Sequence, residues 1–368
     1  MNRFLKFEFH LNMFKIYDTM KIYPKRRVFI MVSSLFFIAE NSFFEAERIS
    51  EQWKLTEKTF DWKFMSIASD PFNPRRIYAG TFDHGLLVTE DQGESWQQVE
   101  AGIIEKRVMS VAVSPTEKIN GYGVIWAGTE PSNVYRSEDG GNTWTSYPSF
   151  LELPSEDTWF FPPRPHTHHV HAIQPDLYDP EVIFIGIELG GVLKSTDKGR
   201  TWEDRKENSQ FDCHSLTMNQ FAKGRLYEAA GGGYAETIDG GKSWNTYNDG
   251  LGSYTYLVDV AVDSSDPNII VASGAKGPRT AYNAEKAETF LFRKVHDKPW
   301  EVLYDGLPEE QGSTVFSLAT DPSEPETFFA VNNRGIYRST DQGVSWENLG
   351  VEWKQSYENL RIRKLITV

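Results

Sequence analysis

Short apolar runs alternate with polar, turn-forming segments along this chain, and their order repeats. MSIASDPFNPRRIYAGT (65–81), MSVAVSP (109–115) with GVIWAGT (123–129), and FSLATDPSEPETFFAVN (316–332) each read as a strand, an Asp-Pro type of turn and a second strand. HSLTMNQFAKGRLYEAAGG (214–232) keeps the outline without the prolines. Further along each unit stands one pattern, Ser/Thr-x-Asp-x-Gly-x-Ser/Thr-Trp, at TEDQGESW (89–96), SEDGGNTW (137–144), STDKGRTW (195–202), TIDGGKSW (237–244) and STDQGVSW (339–346). The Asp side chains, Asp91, Asp139, Asp197, Asp239 and Asp341, can accept backbone N–H bonds of their own turn. The Gly takes a backbone conformation that side chains resist, and the Trp buries a large ring. One unit is therefore strand a, turn, strand b, loop, strand c, Asp turn, strand d. Four antiparallel strands in roughly 40–60 residues make a propeller blade. A solenoid is the competing architecture, but a ring leaves no exposed end blades.

The terminal tryptophans count the blades. Trp96, Trp144, Trp202, Trp244 and Trp346 close the five full patterns; Trp300 stands where a decayed sixth belongs, and Trp53 is a seventh. SLFFIAENSFFEAERISEQW (34–53) parallels ETFFAVNNRGIYRSTDQGVSW (326–346), so the chain starts at strand b of a blade. LRIRKLITV (360–368) then supplies the missing strand a, and pairing of the two ends hydrogen-bonds edges that would otherwise stay open. The expectation is an all-β, seven-bladed propeller over residues 28–368, with 1–27 as an N-terminal extension. The alternative for the N-terminal region is a signal peptide. Lys25, Arg26 and Arg27 precede the apolar stretch 28–39, a basic n-region before a short h-region. That reading gives six blades and a secreted or periplasmic protein instead of a cytoplasmic one.

Composition narrows the partners. Aromatic residues at 14% and hydrophobic residues at 39% supply a real core. A net charge of −14 repels nucleic-acid phosphate and anionic lipid. A single cysteine, Cys213, excludes an internal disulfide and a cysteine-based zinc site. No other segment is apolar enough to cross a bilayer.

The five Asp turns resemble the BNR/Asp-box propellers, a group that includes sialidases, xyloglucanase-type glycoside hydrolases, the sortilin receptor domain and photosystem II assembly factors. The likeness covers about residues 34–368 and is closest to prokaryotic proteins of glycosyl-hydrolase-like type. It implies a structural turn on the c–d side of each blade, away from the site face. The sialidase type uses an Arg-Ile-Pro motif, and here the nearest string is Arg76-Ile77-Tyr78. The xyloglucanase type uses two facing propellers, and this chain has one. The assembly-factor and sortilin types imply binding without chemistry.

In a propeller the d–a and b–c loops share one face. The two long insertions, YPSFLELPSEDTWFFPPRPHTHH (147–169) and GAKGPRTAYNAEKAET (274–289), both fall there. His166, His168, His169 and His171 stand at the start of one strand a, and His214 at the matching place in the next blade, where two other blades carry Met65 and Met109. Imidazoles beside carboxylates suit acid/base work, sugar binding or a divalent metal on His169, His171 and His214, although no His-Glu-x-x-His spacing is present. A polar, solvated channel mouth is the plainer alternative. Asp83 (beside His84), Glu130, Glu188 and Asp259 are the carboxylates from which a glycosidase pair could come. Asp259 stands where other inner strands have Ser66, Ser110, Ala172, Ser215 and Ser317. Arg279 and Arg334 could bind a carboxylate or form surface ion pairs, and Trp159 could stack on a sugar or pin its own loop. Gly231-Gly232-Gly233 lacks the Lys and helix of a phosphate loop and reads as a tight b–c loop. Two functions remain: a binding or assembly scaffold for a carbohydrate or protein ligand on the d–a/b–c face, or a glycoside hydrolase.

Overall fold

The computed structural model describes residues 34–99 and 101–368. The expected extension, 1–27, and the first part of the 25–39 segment lie outside the described residues. The described residues form seven antiparallel sheets. Their innermost strands are Phe64–Asp70, Arg107–Ile119, Val170–Pro175, Cys213–Met218, Tyr256–Val262, Ser317–Thr320 and Ile362–Thr367. Each packs against the next, and the seventh against the first, so the sheets close a ring. Six sheets have four strands; in the third blade the fourth strand shrinks to a single bridge, Lys194 to Glu203.

The ends share the seventh blade. Ser34–Ala39 pairs antiparallel with Ile362–Thr367, with Phe37 opposite Leu365, and continues to Ser42–Ile49 and Gln52–Thr59. Leu35, Phe36, Phe37, Ile38 and Ala39 are all fully buried. A second strand has a neighbouring blade on both faces, so both sets of alternating side chains are apolar. The core is accordingly divided into clusters between adjacent blades. One example joins Leu35 and Phe37 to Phe329 and Val331, and another joins Phe36 and Phe43 to Ile77 and Ala79.

The five Asp turns share one core of hydrogen bonds. Asp91 accepts bonds from the Ser95 N–H at 2.9 Å, the Ser95 hydroxyl at 2.7 Å and the Thr89 hydroxyl at 2.6 Å. Thr89 Oγ1 accepts in turn from the Gly93 N–H at 2.8 Å. Gly93 is required twice: its φ is +91°, and a Cβ there would lie 2.3 Å from the Phe43 ring of the adjoining blade. Trp144 uses its indole N–H to bind the Val99 carbonyl at 2.8 Å, tying one blade to the one before.

The inner strands carry the feature that shapes the site. In the first five blades the register slips once near the strand start, leaving Met65, Met109, His171, His214 and Val258 as the extra residue of a β-bulge. Arg363 is the skipped residue of the seventh. A bulge re-aims its side chain, here into the central channel, and all six line its cavity.

Candidate functional site at the channel mouth

The cavity on the axis has a volume of about 150 Å³ and receives residues from all seven inner strands. At the mouth formed by the d–a and b–c loops, imidazoles and carboxylates gather from the third and fourth blades. Glu188 follows strand b of the third blade; its Oε2 lies 2.9 Å from His169 Nε2 and 3.2 Å from His171 Nδ1. The two ring nitrogens are 3.3 Å apart. Across the blade boundary, His214 Nε2 lies 3.4 Å from Asp212 Oδ2, while its Nδ1 donates to the Leu257 carbonyl at 2.6 Å.

Flat rings continue from this cluster around the mouth. His171 meets His214 at 6.0 Å between centroids, His214 meets Tyr256 at 4.7 Å, and Tyr256 meets Tyr282 at 6.3 Å. The Arg361 guanidinium sits 3.6 Å over the Tyr282 ring. Tyr282 comes from the short helix Pro278–Tyr282 of the second insertion. The first insertion acts from behind: Phe161 is edge-on to His169 at 4.8 Å and holds the ring in place.

Burial and the neighbouring groups oppose one another in setting the charges. Burial pushes Glu188 toward its neutral form, but the hydrogen bonds from His169 and His171 win and hold it well below the usual carboxylate range. His171 moves down because burial outweighs Glu188. Burial also opposes charge on His214, yet Asp212 and Glu188 raise it. Burial, and then the neighbouring Arg361, lower Arg363 to about 10.

The remaining candidates lie as follows. Asp259 lines the same cavity but is engaged on both oxygens, accepting from the Ser215 hydroxyl at 2.7 Å, the Ser317 hydroxyl at 3.1 Å and the Leu318 N–H at 3.0 Å. Glu130 is buried between Arg107 and Arg164. His168 bridges Ser132 and Glu156, at 2.8 and 3.1 Å. Trp159 is buried, packed on Phe150 and bonded to Ser155 Oγ at 3.0 Å. Asp83 pairs with His84 at 2.8 Å on the surface. Arg334 pairs with Glu358 at 3.5 Å, and Arg279 is exposed on its short helix. The sequence reading missed Asp212, Tyr256, Tyr282, Arg361 and Arg363. Asp212 had one signal: it precedes His214 by two residues, as His169 precedes His171.

No family model matches the chain. A xyloglucanase, Xgh74A of Acetivibrio thermocellus, is 24% identical over 326 residues, which is 78% of this chain and 32% of that protein. An oligoxyloglucan-reducing end-specific xyloglucanase of Emericella nidulans is 23% identical over 171 residues, 39% of this chain and 20% of that one. The chain thus spans about a third or less of the length of these relatives. Among solved structures, the GH74 enzyme of Niastella koreensis superposes with a TM-score of 0.63 at 17% identity, covering 86% of this chain and 52% of the other. YCF48 from Cyanidioschyzon merolae gives 0.56 at 13%, over 83% and 95%, and YCF48 bound to D1 peptide gives 0.53 at 15%, over 82% and 86%. Among the described residues no helix is long and apolar enough to cross a membrane. What these likenesses establish is the fold: the chain is a seven-bladed β-propeller of the kind found in GH74 xyloglucanases and YCF48.

Proposed function

We propose that this propeller is a binding protein whose ligand, of the saccharide class, docks on the d–a/b–c face and reaches the channel mouth. The observation that carries this reading is the arc His171, His214, Tyr256 and Tyr282. His171, Tyr256 and Tyr282 are partly exposed, and such rings with hydrogen-bonding edges pack on a sugar face while binding its hydroxyls; the buried His214 ring packs between His171 and Tyr256. The xyloglucanase names of the curated relatives support the same class. The test is titration of purified protein against xyloglucan and other oligosaccharides, with His171→Ala beside the wild type. Saccharide binding that the variant loses supports the proposal; a folded wild type that binds none, or a variant that binds equally, contradicts it.

Glycoside hydrolysis is the second reading, favoured by those same relatives. Two carboxyl groups of opposite protonation would be required at the mouth. Glu188 is held ionised, but Glu228, the carboxyl raised to about 8, is fully buried in its strand. Asp212 would have to act as the partner of Glu188. Release of reducing ends from xyloglucan oligosaccharides, abolished by Asp212→Asn and Glu188→Gln alike, would establish this reading over simple binding.

A further inference from the structure

We infer that the histidine–carboxylate cluster is a binding site for a divalent transition-metal cation of the zinc(II) type, held by His169 Nε2, His171 Nδ1 and Glu188 Oε2, with Asp212 and His214 completing it.

The three atoms form a closed triangle with sides of 2.9, 3.2 and 3.3 Å. If both rings donate to Glu188, two N–H groups confront each other across the third side. If either ring donates to the other, one contact to Glu188 becomes lone pair against lone pair. With Glu188 as a carboxylate, no arrangement of protons satisfies all three contacts. A cation satisfies them together, because each atom then offers a lone pair. In a tetrahedral site with ligands at roughly 2.0–2.1 Å, the ligand atoms stand about 3.3 Å apart, close to the triangle observed.

The outer bonds of the rings point the same way. The Leu257 carbonyl can only accept, so His214 carries a proton on Nδ1, and in the neutral ring its Nε2 is bare. That nitrogen belongs to a side chain only 2% exposed and has no hydrogen-bond partner; it faces Asp212 Oδ2, and Asp212 Oδ1 is equally unpartnered. Glu188, Asp212 and His214 offer a second set of three ligand atoms within 4.8 Å of one another, sharing Glu188 with the first set. His169 with Nε2 as ligand keeps its proton on Nδ1, which is buried without a hydrogen-bond partner and faces Glu130 Oε2 at 3.8 Å. A ligating ring that turns its other nitrogen toward a carbonyl or carboxylate is the usual outer arrangement of imidazole metal sites. Within the ligand set itself, two carboxylates and three neutral imidazoles carry two negative charges, which suits a divalent cation. Imidazole with carboxylate oxygen favours zinc and its transition-metal neighbours over calcium or magnesium. This inference does not depend on the saccharide reading.

The test uses the full chain, stripped with a chelator and checked for fold by circular dichroism. Zinc(II) is titrated in and bound metal is counted by mass spectrometry after desalting. Long-range ¹H–¹⁵N spectra of the imidazoles are recorded on the same samples. The expected result is about one ion per chain, with the His169, His171 and His214 ring signals moving while His84 and His296 stay in place. His171→Ala and Glu188→Gln should weaken binding at least about tenfold. A folded, stripped wild type that retains no zinc overturns the proposal, as does zinc uptake that leaves those three rings unmoved. The imidazole spectra need only wild-type protein, so the decision stands even if a variant fails to fold.

Discussion

Replacing Glu228 by glutamine should stabilise the protein at neutral pH and change little in mild acid. Glu228 is buried in the middle of strand b of the fourth blade. At that register the other six blades place Ala79, Ala127, Ile185, Ala272, Ala330 and Phe37. One carboxyl oxygen accepts the Gln210 N–H at 3.0 Å; the other, beside the Cys213 thiol, has no conventional partner. Burial pushes the group from 4.5 up to about 8. Between those values the folded chain keeps a proton that the unfolded chain releases, so stability falls as pH rises through the window. At pH 7 the gap is about 2.5 pH units, and at roughly 1.4 kcal/mol each the cost is about 3 kcal/mol. Glutamine has the same shape and carries no charge at either pH. Urea unfolding followed by tryptophan fluorescence at pH 5 and pH 7 reads the difference. The wild type should lose about 2–3 kcal/mol relative to the variant between the two conditions. Equal pH slopes for the two proteins would refute the reasoning.

Three further outcomes follow from the fold. Leu365→Ala, in the closing strand and 1% exposed, should cost about 2–5 kcal/mol, and deletion of residues 360–368 should remove most soluble protein; a truncated chain with an unchanged melting temperature would contradict ring closure. Asp139→Ala removes bonds from the Thr143 N–H, the Thr143 hydroxyl and the Ser137 hydroxyl and should cost roughly 1–3 kcal/mol in denaturant unfolding, without altering ligand binding. Hydrogen bonds from Ser95 lower Asp91 to about 2, and those from Ser243 lower Asp239 further. Their stabilisation is complete above the unfolded value near 3.8 and is lost as pH falls toward 2. An Asp91→Asn variant should therefore show a shallower acid transition, though only slightly, because the turn is solvent-exposed.

The ring was legible because five blades repeat the same Asp turn and all seven carry the Trp. Where the turn had decayed, Trp53 and Trp300 still marked the period. The strand Ser34–Ala39 was ambiguous for a physical reason: a strand covered on both faces is apolar throughout, and so is a secretory h-region. The third blade's fourth strand could not be anticipated as a single bridge, since its Asp turn at 195–202 is complete. At the mouth, His171 and His214 stood out because equivalent positions carry Met65 and Met109. Their aim depends on a bulge that no spacing announces. Asp259 stood out too, but its partners Ser215 and Ser317 come from the two flanking blades, so its engagement emerges only when the ring closes. Tyr282 and Arg361, far apart in sequence, meet only at the mouth.

The central claim is that this protein meets its ligand at the d–a/b–c mouth and not on the face that carries the Asp turns. Hydrogen-exchange mass spectrometry of the protein with and without a bound oligosaccharide tests it most directly. New protection is predicted in peptides spanning 166–171, 212–214, 254–258, 278–283 and 360–364, with 89–96, 137–144, 237–244 and 339–346 unchanged. Protection confined to those Asp turns, with the mouth peptides exchanging as before, would contradict it.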